Sequence, residues 1–515
     1  MRKFSILLLA GLQLLLGSCY QDLSTEATLL LPDIVVTGLE PSLDVVYGQE
    51  LSVSVKAYMG AKTTPDFEYL WEIDLHANDP DDRVELGTEP TLTFKVANTP
   101  SSTPYMLSVK VWDPETGLCG VRSSYVHVSS SLGEGLLVAY AKPDGTSEFD
   151  IVASPAVTYG YTGEPRITRA LFSLANNNQP FPEKVTALLQ TNDTQNAVYD
   201  SRRILVGSEH HITAINPLTF QTQEKDGQLF SSTTISEFGP ITALFNCGGY
   251  TSYMYVGESG YGHVCSIDNV YAKLPTPSDK TVRFLPTNYG YGALDQGRFV
   301  LFNNGDAFYE IMAYQIMSGL KKVDADMLDF SLDGAESLMG GCLRGARPAF
   351  LIKDKTGALH ITVMELSSTS APDTFISIPF EGENIDQAVS IAFCDNGDLF
   401  YYATADALYA TIISGNTSLV RKLSWKPDNE GERITSIQQY RQAWYGTGQI
   451  YPSDYGYTLP NHRAALIITT YNDSTGEGKF YLRGFNVSTG MFTFSGDYGS
   501  FGGFGKITAI APTLR

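Results

Sequence analysis

From Leu51 to Val111 the apolar residues fall on every second position. Leu51, Val53 and Val55 form one run, and Phe67, Tyr69, Trp71 and Ile73 a second. Leu92, Phe94 and Val96 form a third, and Tyr105, Leu107, Val109 and Val111 a fourth. A period of two places each set on one face of a β-strand. Turn-forming residues separate the runs: Tyr47-Gly48-Gln49, Asn78-Asp79-Pro80-Asp81 and Asp113-Pro114-Glu115-Thr116-Gly117. About seven short strands between residues 33 and 131 predict an immunoglobulin-like β-sandwich with Trp71 in its core.

Beyond Ser131 the pattern changes to strand pairs. Leu136–Ala141 goes with Phe149–Ala153, Arg203–Gly207 with Ile212–Asn216, and Tyr253–Gly257 with His263–Ile267. Phe299–Asn303 with Ala307–Met312, Ala349–Lys353 with Leu359–Met364, Ile391–Cys394 with Leu399–Ala403, and Ala464–Thr470 with Lys479–Asn486 continue the series. A strand-rich unit recurring over residues 132–515 predicts a β-propeller. Seven blades are expected, though six or eight also fit the irregular spacing. Strings around Ile212–Ile215, Ile241–Leu244 and Ile507–Ile510 read as equivalent strands of different blades. The last of them is placed to close the ring against Leu136, which would remove two exposed sheet edges. The fold class is therefore all-β, with 30 Tyr, 26 Phe and 47 Gly in 515 residues in keeping.

The net charge is −21, which argues against nucleic acid and against attraction to an anionic membrane surface. The N-terminus carries Arg2 and Lys3 and then an apolar run from Phe4 to Leu16. These 13 residues are too few to cross a hydrocarbon core of ~30 Å as a helix and read as a signal peptide over residues 1–18. Five cysteines besides Cys19 are widely spaced, with no Cys-x-x-Cys pair, so buried thiols are expected; Cys247 and Cys265 could meet on neighbouring strands.

Leu16-Gly17-Ser18-Cys19 resembles a bacterial lipobox, which implies that Cys19 is lipidated and that residues 19–32 form a tether. Cys19-Tyr20-Gln21-Asp22 with Glu26 resembles the acidic export tag of Bacteroidetes lipoproteins, which implies display outside the outer membrane. Trp71-Glu72-Ile73 and Tyr105-x-Leu107-x-Val109-x-Val111-x-Asp113-x-x-Thr116-Gly117 resemble the PKD-like domain of such lipoproteins. Gly133-Glu134-Gly135-Leu136-Leu137-Val138 resembles the start of that family's second domain. The Gly-Asp-Gly turn usual in PKD domains is replaced here by Asp74-Leu75-His76-Ala77-Asn78. The resemblance implies an accessory role beside a SusC/SusD-type outer-membrane transporter, capturing oligopeptide or glycan.

No catalytic motif is found: no His-Glu-x-x-His, no Gly-x-Ser-x-Gly and no phosphate-binding Gly-Lys-Ser/Thr loop. No cofactor or metal is expected. His210-His211, if on a strand, would point to opposite faces. Asp395-Asn396-Gly397-Asp398 lacks the further ligands of a calcium loop and reads as a hairpin turn. The residues singled out for ligand contact are Tyr159 and Tyr161, Tyr289 and Tyr291, Trp444, and Tyr455 and Tyr457. They lie in Tyr-Gly-Tyr or Trp-Tyr-Gly strings, where rigid rings with a hydroxyl suit sugars or peptides. Packing of blade ends is the other role such strings serve. A hydrolase or lyase acting on a surface polymer, and an adhesion or scaffold lipoprotein, are the competing functional classes.

Overall fold

The computed structural model describes residues 33–75, 81–98, 104–129, 135–191, 203–217, 219–225, 240–246, 253–257, 260–264, 287–289, 298–303, 305–312, 321–345, 347–365, 374–442 and 459–513. They belong to two compact units divided between Ser131 and Leu132.

The first unit contains a five-stranded sheet in the order Ser42–Val46, Cys119–Ser129, Tyr105–Trp112, Glu68–Asp74, Arg83–Gly87. Cys119–Ser129 pairs parallel with Ser42–Val46, and the other pairings are antiparallel. Shorter pairings, Val35–Thr37 with Lys56–Met59 and Glu50–Ser54 with Thr91–Lys95, supply the facing layer. The period-two pattern is obeyed: Tyr69, Trp71 and Ile73 are buried while Glu68 is exposed. Trp71 is fully buried, and its indole N–H donates to Glu89 O at 2.8 Å, so the polar end of the ring is also satisfied. The Thr-Gly turn has a local cause. Thr116 Oγ1 donates to Asp113 Oδ2 at 2.6 Å, and Gly117 takes φ +71°, where a side chain would be strained. The unit is an immunoglobulin-like sandwich.

The second unit is built from seven sheets among the described residues, six of four strands and one of three. Each is an antiparallel meander. The strands that begin six of them are Val185–Thr191, Ile241–Asn246, Thr287–Tyr289, Glu336–Leu343, Ser390–Cys394 and Arg433–Gln439. Lys506–Thr513 has the corresponding place in the remaining sheet. These are the inner strands: Lys506–Thr513 packs on Val185–Thr191, Val185–Thr191 on Ile241–Asn246, and Ser390–Cys394 on both Glu336–Leu343 and Arg433–Gln439.

The apolar clusters lie between sheets rather than within one. Leu137, Phe149 and Ile151 pack with Val185, Ile204 and Val206 of the next sheet. Leu351, Ile361 and Val363 pack with Phe400, Tyr402 and Tyr409. Leu136, Val138 and Val152 pack with Ile467, Phe480 and Leu482, joining the first sheet to the last. A single blade has no partner for its apolar face until its neighbours form, which is why the repeat must be radial.

The ring is closed by pairing ends of this unit. Lys506–Thr513 runs antiparallel to Gly135–Ala141, with Val138 opposite Ile510 and Leu136 opposite Pro512. Gly135 is required there, since a Cβ would lie 2.2 Å from Val152 O. A second clasp crosses from Arg169, which donates to Gly502 O and Gly503 O at 2.6 and 3.1 Å. The unit is a β-propeller. Of the three strings read as equivalent, Ile241–Asn246 and Lys506–Thr513 are both inner strands. Ile212–Ile215 is instead the third strand of its sheet, so that equivalence is corrected.

Candidate functional site

A cluster of charged side chains sits where inner strands end. Ser390–Cys394 turns into Leu399–Ala403 through Asp395-Asn396-Gly397-Asp398. Asp395 is only 5% exposed. It accepts from Arg463 Nε at 2.8 Å and pairs with Arg441 Nη2 at 2.9 Å, while its carbonyl takes Arg463 Nη2 at 2.9 Å. Gln439 completes the join, with Nε2 donating to Asn396 Oδ1 and to Arg463 O at 3.1 and 2.8 Å. On the other side, Asp398 pairs with Arg344 at 3.2 Å and with Arg347, and Arg344 N donates to Gly397 O at 3.0 Å. Three adjacent sheets thus meet at one four-residue turn.

Arg463 takes φ +60°, a left-handed conformation that costs a non-glycine residue about 1 kcal/mol or more. Glycine would fit the backbone with less strain, so the guanidinium is what holds arginine there. The field is strongly polarised. Burial would raise the Asp395 carboxyl, but Arg441 and Arg463 outweigh it and hold it below the ordinary carboxylate range. His462 is pushed down to about 4, first by burial and then by Arg463 and Arg441. It is therefore neutral at pH 7, and Nδ1 accepts from Gln442 N at 2.9 Å. Burial pushes the Cys342 thiol up to about 12 and raises Cys394 strongly, so both remain protonated.

This end of the ring also gathers the stems of two aromatic segments. Gln442 and Leu459 flank the residues 443–458, and Leu459 N donates to Gln442 Oε1 at 2.8 Å. Asn461 Nδ2 donates to Ala156 O at 2.8 Å, on the connection that carries Tyr159 and Tyr161. Val157 from that connection packs in the same cluster as Tyr440 and Leu459. Tyr159 is exposed. Tyr161 donates its hydroxyl to Glu164 O at 2.7 Å, closing its own turn. Tyr289 ends an inner strand in its backbone trace. Tyr291, Trp444, Tyr455 and Tyr457 lie outside the described residues, as do Cys19, Cys247 and Cys265.

One expectation changes. His210 and His211 are not on a strand but in the turn before Ile212–Ile215. Both rings approach Glu183, at 3.8 and 3.4 Å, so the opposite-face argument does not apply. Among the described residues no group of three or more His, Cys, Asp or Glu side chains is arranged to hold a metal. The Asp395–Asp398 segment is a hairpin turn, with both aspartates engaged by arginine. Arg344, Arg347, Arg441 and Arg463 escaped the sequence reading; the available signal was that Arg441 and Arg463 bracket the aromatic segment 443–458.

Fold and closure define a β-propeller protein with an immunoglobulin-like domain ahead of it. No family model and no curated protein matches the chain. Solved structures similar to it include a quinonprotein alcohol dehydrogenase-like protein from Bacteroides thetaiotaomicron, at 12% identity over 94% of this chain and 96% of that one, TM-score 0.40. Apo AztD from Citrobacter koseri is similar at 10% identity over 87% and 99%, TM-score 0.35. The WD40 domain of SCAP from fission yeast is similar at 8% identity over 64% and 75%, TM-score 0.30.

Proposed function

We propose that this chain is a surface-exposed outer-membrane lipoprotein that binds oligopeptide or glycan for a SusC/SusD-type uptake system. Cys19 would carry the anchor, the PKD-like domain would act as spacer, and the propeller would bind the ligand. The observation that carries the reading is the Asn461–Ala156 hydrogen bond. It joins the stem of the segment holding Trp444, Tyr455 and Tyr457 to the connection holding Tyr159 and Tyr161, at one end of the ring. Aromatic side chains supply flat apolar faces for a sugar or peptide, and the stems of both segments that carry them meet here. Tethering such a binder beside a transporter raises the local ligand concentration without any new transporter contact.

Replacing Tyr289, Tyr291, Trp444, Tyr455 and Tyr457 together by Ala should weaken binding at least tenfold, since ring contacts contribute on the order of 1 kcal/mol each. Calorimetry against neutral oligosaccharides and oligopeptides reads this, with the thermal melt as control. Unchanged affinity in a folded variant removes these segments from the site. Turnover of any probe moves the assignment to a propeller hydrolase or lyase, and attachment without small-ligand binding to an adhesin or scaffold.

A further inference from the structure

We propose that the arginines around the 395–398 turn bind a carboxylate on the ligand, so that the preferred ligand is an acidic oligomer. The inference rests on the reading above only in taking this end of the ring as the ligand face. Four guanidinium groups, of Arg344, Arg347, Arg441 and Arg463, stand here against three carboxylates, of Asp395, Asp398 and the more distant Glu365. In a chain of net charge −21 this is a local reversal of sign. The other titratable groups nearby leave it intact, since His462 is neutral and Cys342 and Cys394 are protonated.

Arg463 and Arg344 are held but not used up. Arg441 and Arg463 have side chains 32% and 31% exposed, and Arg344 is 72% exposed. Arg463 is fixed along one edge, with Nε and Nη2 both on Asp395, and Arg344 is held by Nη2 on Asp398. Arg463 Nη1 and Arg344 Nε and Nη1 meet no acceptor among the described residues. A guanidinium anchored on one edge presents its remaining donors with little further loss of freedom, which is the arrangement that recognises a planar carboxylate. Two residues before Arg463, the side chain of Asn461 is buried at 1% exposure, and its Oδ1 has no donor among the described residues. An orphaned buried acceptor is costly. A carboxylate with a neighbouring donor occurs in a uronate residue of a glycan and at the C-terminus of a peptide.

The test is calorimetry on the full chain with trigalacturonate and its methyl ester, and with a pentapeptide bearing a free or an amidated C-terminus. One acidic probe should bind, its neutral counterpart should bind at least tenfold more weakly, and affinity should fall as salt rises. Which acidic probe binds distinguishes the two sources. Arg441→Gln should weaken binding about tenfold. Arg344→Gln, at an exposed position where folding is not at stake, should weaken it several-fold while the melt stays unchanged. Equal binding of acid and neutral forms, or acidic binding indifferent to both substitutions, overturns the proposal. Neutral oligomers bound in a way that the aromatic variant loses and Arg344→Gln keeps would also overturn it, while leaving the wider reading standing.

Discussion

Arg169 Nη1 donates to Asp150 Oδ2 at 2.7 Å, and the same guanidinium spans to Gly502 and Gly503 on the last sheet while covering the Phe504 ring at 4.7 Å. Asp150 is fully buried and also accepts from Ala170 N at 2.8 Å. Burial outweighs these partners, so its carboxyl titrates above the usual range. A raised acid favours the fold while protonated and loses that contribution as pH rises through its folded value. At neutral pH the ion pair therefore depends on Arg169 staying in place. Arg169→Ala should cost about 3 kcal/mol or more, because it strands a buried carboxylate. Asp150→Asn should cost less, and the double variant less than Arg169→Ala alone. Denaturant titrations of the four proteins give the coupling, and strict additivity would count against the clasp.

His462 sets an acid limit. Its folded value of about 4 lies below the ordinary 6.5. Between those values the unfolded chain binds a proton that the folded chain refuses, so stability is full above pH 6.5 and falls toward pH 4. The loss is on the order of 3 kcal/mol. Asp395, also lowered, adds a further loss at still lower pH. Melting temperature measured against pH should drop across this window. His462→Asn, which keeps an acceptor for Gln442 N, should flatten the drop; an unaltered slope would remove His462 as its source.

Removing residues 491–515 deletes the strands Phe492–Phe504 and Lys506–Thr513 together with Phe501, Phe504 and Ile507 from the joining core. The truncated propeller should lose its cooperative melt, because Gly135–Ala141 is left without its partner and the first and last sheets no longer share a core. A single sharp transition at an unchanged temperature would show that closure is dispensable.

Cys19→Ala should abolish incorporation of labelled palmitate and release the protein from membranes, since one residue would carry all the acyl chains. Persistent labelling would rule out the lipobox reading. Protease digestion of intact cells tests surface display separately, and protection until the outer membrane is breached would place the protein facing the periplasm.

The strands were legible because burial on one face imposes a period of two. Tyr69, Trp71 and Ile73 are buried as the pattern predicts, and the closing strand at Ile507 could be recognised by its apolar run. Strand position within a blade was not legible. Ile212-Thr213-Ala214-Ile215 and Ile241-Thr242-Ala243-Leu244 look alike in sequence, yet one is a third strand and the other an inner one, since a strand's place depends on how many strands of its sheet precede it. The histidine pair misled for a similar reason: a turn, unlike a strand, lets neighbours face the same way. The arginine cluster was hidden by distance along the chain. Arg463 and Asp395 meet only after two adjacent sheets have assembled, and no local period links them.

The closing strand has a consequence for synthesis. The innermost strand of the first sheet is made after every other described strand of its unit. Until residues 506–513 emerge, Gly135–Ala141 presents an unpaired edge, and its apolar residues have no last sheet to pack on. The ring therefore cannot mature blade by blade as the chain lengthens. Folding of this unit waits for that strand, which makes it slow and makes protection of the nascent edge a requirement of its production.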